Sequence, residues 1–301
     1  MKNVNIFPAK KHVEANDKLA EFVFYFTDDL HKTLITTQKK TGFVEKTKHK
    51  KMGDIITTVG LSLINEYTDT KPLNQYDRSV LAACISEWEV GNKYTTPNII
   101  YRHLTGKTKS TDTPEPAQEK AILDSLKKLM SMVITINMTD SCENFGYNNG
   151  KPFERTSAIL PAMFDKNVTI NGYSTTVIYF DRESPILTVA KMKKQLLTYD
   201  LKLLNVPKQH NSVDTIAVKN YVLHRVQEIK LHKMTATITF DDIFEKCRLT
   251  EADNKKKLRL RKIILELMEH LKNNNAILNY EVQKQGNKFQ SITFNYKSKS
   301  K

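Results

Sequence analysis

Residues 255–268 have the sequence KKKLRLRKIILELM, which predicts a helix with two different faces. Aliphatic residues recur on one face at three- and four-residue spacing. This face carries Leu260, Ile264, Leu267 and Leu271. The opposite face carries the cationic residues Lys255, Arg259 and Lys262. A helix that packs on one side and presents cations on the other is typical of a DNA-recognition helix. The alternative is a surface helix whose lysines are only solvated, which is the usual explanation of an isolated charge run.

The composition of the whole chain favours the DNA-binding interpretation. Its 47 lysines and arginines against 33 aspartates and glutamates leave a formal net charge of +14, with an isoelectric point near 9.4. Such a charge attracts polyanions and accelerates their encounter, so nucleic acid is the expected partner. At 301 residues the chain is long enough for two domains.

Several other classes of protein are disfavoured. No apolar run approaches the roughly 20 residues that span a bilayer, so we expect no membrane insertion. Residues 1–11 lack the apolar core of a secretory signal, and the three cysteines are scattered and do not form a disulfide framework. A cytoplasmic location is expected.

Motifs for catalysis or metal binding are weak. Gly106-Lys107-Thr108 resembles the end of a phosphate-binding loop, but Tyr101 stands where that loop requires its first glycine. The eight histidines form no His-x-His pair of the kind found in nicking nucleases, and the cysteines lack the Cys-x-x-Cys spacing of zinc sites. We therefore expect no enzyme activity, no cofactor and no metal site.

Residues 71–184 are predicted to form a first winged-helix domain, preceded by an N-terminal extension over residues 1–70. The predicted order is a helix capped by Asn74, a short helix over 98–104, a third helix over 115–130, and strands over 133–137 and 155–160. In a winged helix the third helix enters the major groove, and the hairpin after it, the wing, contacts the flanking DNA backbone or the minor groove. The DNA-binding candidates in the third helix are Lys120, Ser125, Lys127 and Lys128.

Residues 212–301 repeat this order as a second winged-helix domain, and residues 185–211 are predicted to link the two. The cationic helix is its third helix, and the hairpin after it turns at Gly286. The candidates here are Lys255, Lys256, Arg259 and Lys262 on the helix and Lys284 and Lys288 at the wing tip. Arg259 is the predicted base reader, because a planar guanidinium pairs with guanine O6 and N7, whereas lysines more often neutralise phosphate. The predicted fold class is α+β, with tandem winged-helix domains.

The tandem pattern resembles plasmid replication initiators of the two-winged-helix, iteron-binding type. The resemblance covers about residues 72–296 and is strongest over 73–86, 221–227, 254–271 and 284–294. It implies sequence-specific binding to repeated origin sites in double-stranded DNA, help in opening an AT-rich origin, and recruitment of host replication proteins. It also implies a homodimer that represses its own gene. One departure is the acidic start of the first domain's third helix, around Glu115 and Glu119.

Two other functions are compatible with the same pattern. A winged-helix transcription repressor would bind DNA equally well, and it would differ from an initiator only in the consequence of binding. A winged-helix scaffold would bind proteins and lack specific DNA binding, because a fold does not determine a function.

Overall fold

The computed structural model describes residues 22–26, 50–52, 55–63, 73–137, 154–170, 173–192, 196–232, 234–286 and 288–296. Most of the predicted N-terminal extension lies outside these ranges, and so do residues 138–153, between the strands predicted over 133–137 and 155–160. Within them, no helix combines the length and the apolar character that a membrane crossing needs.

The helices of the first domain begin and end where local sequence signals place them. They are α1 (Gln75–Glu89), α2 (Pro97–Thr105) and α3 (Pro116–Ser131). The Asn74 side chain accepts a hydrogen bond from the Asp77 backbone N–H, and the Asp77 carboxylate accepts one from the Asn74 N–H, both at 2.9 Å. This reciprocal capping box confirms Asn74 as the N-cap of α1. Thr96 caps α2, which ends at Gly106 in the left-handed conformation.

The wing of the first domain differs from the predicted one. The strand β4 (Tyr94–Thr95) pairs with β8 (Tyr173–Phe180), which pairs in turn with β7 (Ala162–Ile170). The β7–β8 hairpin is therefore the wing, and the assignment of the wing to residues 133–137 and 155–160 is wrong.

Those two segments do form strands that pair with each other, but they belong to a different sheet. They are β5 (Met132–Asn137) and β6 (Glu154–Ala158), and β5 also pairs with β3 (Ile55–Leu63), which pairs with β2 (Lys50–Met52). An N-terminal strand thus occupies the free edge of β5. The alternation of residues predicts a strand, but the strand's partner lies far away in sequence, and no local signal identifies it.

The segment predicted as a linker, residues 185–211, consists of packed structure. It contains α4 (Pro185–Met192), β9 (Leu196–Asp200) and a 3₁₀ helix (Leu201–Leu204). β9 pairs antiparallel with the N-terminal strand β1 (Phe22–Phe26), which packs against α1. Buried apolar residues of this segment include Ile186, Leu187, Leu197, Leu201 and Leu204.

The second domain has the same plan as the first. Its elements are α5 (Val213–His232), β10 (Thr237–Thr239), α6 (Phe240–Lys246), α7 (Asn254–Asn273), β11 (Asn279–Gln285) and β12 (Lys288–Asn295). β12 lies between β10 and β11, just as β8 lies between β4 and β7. The predicted α+β fold with tandem winged-helix domains is confirmed.

The two domains share one continuous core. α1 packs against α5, and buried apolar residues of both domains belong to the same cluster. The Asn220 side chain on α5 donates to the Leu104 carbonyl at the end of α2, at 3.0 Å. Gln118 on α3 donates to the Asn211 carbonyl at 2.6 Å. Because these polar contacts are buried, they hold the domains in one arrangement.

Candidate nucleic-acid interface

The division of α7 into two faces is confirmed. Its buried residues are Leu260, Ile264, Leu267, Met268 and Leu271, whereas Lys255, Arg259 and Lys262 are exposed. The helix begins after Asp253, whose carboxylate accepts a hydrogen bond from the Lys256 backbone N–H at 2.7 Å. The first turn of α7 carries several adjacent cations, which are unfavourable at the positive end of a helix dipole. The carboxylate at the N-cap offsets this cost and stabilises the helix start.

The exposed face of α7 and the wing enclose a groove of about 540 Å³, which we call the α7–wing groove. Its lining residues are Lys255, Leu258, Arg259, Arg261, Lys262, Leu265 and Phe289. Four of these are cationic, and none of the described lining residues is acidic. The groove therefore combines positive charge with an apolar surface.

Aromatic residues hold one side of the groove in place. The guanidinium carbon of Arg261 lies 5.4 Å from the ring centroid of Phe244 and 5.9 Å from that of Phe240. Phe240 in turn meets Phe289 edge-to-face, with ring centroids 5.8 Å apart. Cation–π and edge-to-face contacts restrict the rotamers of all four side chains. Arg261 therefore enters the groove from a fixed position.

The wing contributes a further cation. The Nζ of Lys284 lies 4.6 Å from the ring centroid of Phe289, its cross-strand partner on β12. Lys288 pairs with Gln285 across the turn at Gly286, and its side chain lies outside the described part of the structure. The wing tip is thus formed by the predicted residues.

Lys256 has a different environment from the other predicted cations of α7. Its Nζ lies 2.6 Å from Oδ2 of Asp214 in the first turn of α5, with both side chains about a third exposed. It does not belong to the lining of the α7–wing groove. The Asp214 carboxylate offsets the positive charge of Lys256, a residue predicted to contact DNA. The ion pair also links α7 to α5.

The candidates in the first domain divide into two pairs. Ser125 is 3% exposed, and its Oγ donates to Asp77 Oδ1 at 2.8 Å. The Nζ of Lys128, on a side chain that is 19% exposed, donates to the other carboxylate oxygen of Asp77 at 2.7 Å. The prediction that Ser125 and Lys128 contact DNA is wrong, because both side chains face inward and satisfy the buried carboxylate that caps α1.

Lys120 and Lys127 lie on the outer face of α3, where positive and negative charges are mixed. Lys127 is paired with Asp124 at 3.6 Å, and both side chains are more than half exposed. Such a pair contributes little energy. With Glu119 in its first turn, α3 presents a weaker positive surface than α7. The principal candidate interface is therefore the α7–wing groove.

Four lining residues of this groove are not among the residues predicted from sequence: Leu258, Arg261, Leu265 and Phe289. Leu258 and Leu265 come three residues after Lys255 and Lys262, so helical spacing places all four on one surface. That signal was present in the sequence. The contribution of Phe289 depends on the packing of β12 against α6, for which the sequence offers no local signal.

Comparisons with known proteins identify no family for this chain. No family model matches the sequence. No curated protein matches it. Among solved structures, a crystal structure of domains 2 and 3 of RctB is similar with a TM-score of 0.43 and 10% identity, covering 93% of this chain and 98% of that one. A second structure, of RctB residues 155–483, has a TM-score of 0.42 and 10% identity and covers 83% of this chain and 91% of that one.

A structural likeness this weak does not indicate function, so the function of this chain is inferred from its own residues.

Proposed function

We propose that the protein binds double-stranded DNA sequence-specifically through the α7–wing groove. The observation that supports this is the groove itself, in which four described cations line the space between a recognition helix and a wing. A polyanion of suitable width neutralises these charges, and the first turns of a recognition helix are the part that reaches base edges.

The cations of the groove have separate roles in this proposal. Arg259 donates two parallel hydrogen bonds to the major-groove edge of guanine, which a planar fork favours. Lys255, Lys262 and Lys284 neutralise phosphates, where a compact ammonium on a flexible stem suffices.

We further propose that the protein initiates plasmid replication by binding DNA in this way. In this role it binds repeated origin sites, recruits host replication proteins and forms a homodimer that represses its own gene. It acts through binding, without a catalytic step of its own. The support is the resemblance of the tandem winged-helix sequence to iteron-binding initiators, together with the rigid coupling of the two domains through their common core.

The DNA-binding proposal is tested by fluorescence-anisotropy titration. The purified chain is titrated against duplex DNA from upstream of its own gene and against scrambled duplex, at two salt concentrations. We expect a preference of about 10³ or more for the first duplex and a steep fall of affinity with salt. Weak binding that is insensitive to salt would instead favour the protein-interaction scaffold.

Variants then separate base reading from phosphate binding. Arg259→Ala should cost about 1–3 kcal/mol on the cognate duplex and much less on the scrambled one. Lys262→Gln should weaken both equally and reduce the slope of log affinity against log salt by about one. The matched control is Lys272→Gln in the last turn of α7, about 20 Å from Arg259 along the helix axis at 1.5 Å per residue. Equal losses on both duplexes for Arg259→Ala would refute its assignment as a base reader.

The initiator and the repressor are distinguished by the arrangement and fate of the bound DNA. Footprinting over the upstream region should show tandem protected repeats next to an AT-rich stretch, and permanganate should detect unpaired thymines there once the protein is bound. A single protected palindrome without strand opening would favour the repressor.

A further inference from the structure

Leu258 is an apolar side chain in an exposed, cationic position. It is 58% exposed although it lines the α7–wing groove beside Lys255, Arg259 and Lys262. The other aliphatic residue of the groove, Leu265, is partly buried and packs against the core. Leu258 therefore presents apolar surface at the place where the proposed function puts the DNA.

The two leucines of the groove lie next to each other on the surface of α7. On a helix with 3.6 residues per turn, Leu258 and Leu265 fall on one side of Lys262, and Lys255 and Arg259 fall on the other. Phe289 from the wing also lines the groove. Arg261 falls beyond the two leucines and packs against Phe240 and Phe244, so the groove has a short apolar strip with cations on both sides of it.

This arrangement of cations around apolar side chains limits the chemistry of the ligand. The occupant must carry negative charge for the cations and a small apolar group for Leu258. In the major groove of duplex DNA, the C5 methyl of thymine is the apolar group that base edges present. Leu258 also lies in the first half of α7, from which recognition helices contact bases.

We propose that Leu258 recognises thymine by covering its C5 methyl, with Leu265 and Phe289 completing the apolar side of the contact. This inference rests on the proposed DNA-binding function and makes it more specific. Arg259 and Leu258 then read adjacent features of the same groove, the first through hydrogen bonds to guanine and the second through van der Waals contact with thymine.

The test uses a duplex whose sequence is selected by the wild-type chain from a random pool. Each thymine of the selected site is replaced in turn by deoxyuridine, which removes one methyl group and keeps the base pairing. We expect one or two positions at which affinity falls about four-fold, the loss that corresponds to about 0.8 kcal/mol for one buried methyl group. At those positions Leu258→Ala should bind the thymine and uracil duplexes equally, while its salt dependence stays that of the wild type.

The matched control is Leu231→Ala, an equally exposed leucine at 58% that does not line the groove. It should keep the four-fold preference for thymine. Because Leu258 is exposed, Leu258→Ala should unfold at the wild-type temperature, which circular dichroism checks.

The outcomes separate this inference from the function on which it rests. Specific binding with equal affinity for thymine and uracil at every position would overturn the methyl contact and leave the DNA-binding function intact. A Leu258→Ala variant that keeps the preference would also overturn it. If no duplex is selected from the pool, the DNA-binding function itself fails.

Discussion

Lys219 is a buried lysine on α5 between the two domains, and its titration should control the stability of the protein at alkaline pH. It is 1% exposed, and its Nζ donates to the Leu204 carbonyl at 3.0 Å and to Asn211 Oδ1 at 2.9 Å. Both acceptors are neutral oxygens. Burial lowers the pKa of Lys219 from 10.5 to about 8, and the positive charge of Lys107 acts in the same direction.

The magnitude comes from the two pKa values. Below pH 8 the lysine is protonated in both the folded and the unfolded chain, and the folded chain bears the full cost of a buried charge. As the pH rises from about 8 to 10.5, the folded chain loses the proton first, so the unfolded chain binds more protons and the folded state gains stability. The total gain is about 3 kcal/mol, and it is lost again as the pH falls through 8.

The assay compares the wild type with Lys219→Met. The free energy of unfolding is measured in urea between pH 7 and 10.5, from the fluorescence of Trp88, the single tryptophan, and from circular dichroism. Other groups also titrate at high pH, and burial raises the pKa of both Tyr76 and Cys84. Because these groups are present in both proteins, their contributions cancel in the difference.

We expect the difference between wild type and Lys219→Met to move by about 3 kcal/mol in favour of the wild type over this range. At pH 7 the difference should be small, because the variant loses two hydrogen bonds but also a buried charge. A difference that stays constant with pH would refute the reasoning, since Lys219 would then have the same pKa in both states.

Two further predictions concern stability. Gly106→Ala should destabilise the protein by about 2–4 kcal/mol, because Gly106 has φ of +73° and a Cβ there would lie 2.6 Å from the Asn205 backbone N. Gly91→Ala is its control and should cost only about 1 kcal/mol, since Gly91 has φ of +90° but open space around it, and urea unfolding measures both. Ser125→Ala should cost about 1–3 kcal/mol by removing a donor to the buried Asp77, while DNA affinity measured by anisotropy stays unchanged. A loss of DNA affinity in a fully folded Ser125→Ala would restore its predicted role in binding.

Much of the candidate site could be predicted from local sequence. The two faces of α7 result from residue spacing, and the wing tip is indicated by Gly286 between two alternating segments. The inward position of Ser125 could be predicted from local sequence. Ser125 is three residues after Ile122 and four before Leu129, so helical spacing places it on the same inner face of α3 as these two buried residues. Lys128 differs, because its inward position depends on Asp77, more than 50 residues away in sequence.

The sequence by itself determined the helices of both domains, their caps and the net positive charge, because helix formation and capping depend on residues within a few positions of one another. Tertiary structure decided which strands pair when they are distant in sequence. It put β8 beside β4 in the sheet that contains the first wing, and β3 beside β5 in a separate sheet. It also lowered the pKa of Lys219 and placed Phe289 in the α7–wing groove. Each of these depends on segments that are distant in sequence and meet only when the core forms, so no local pattern encodes them.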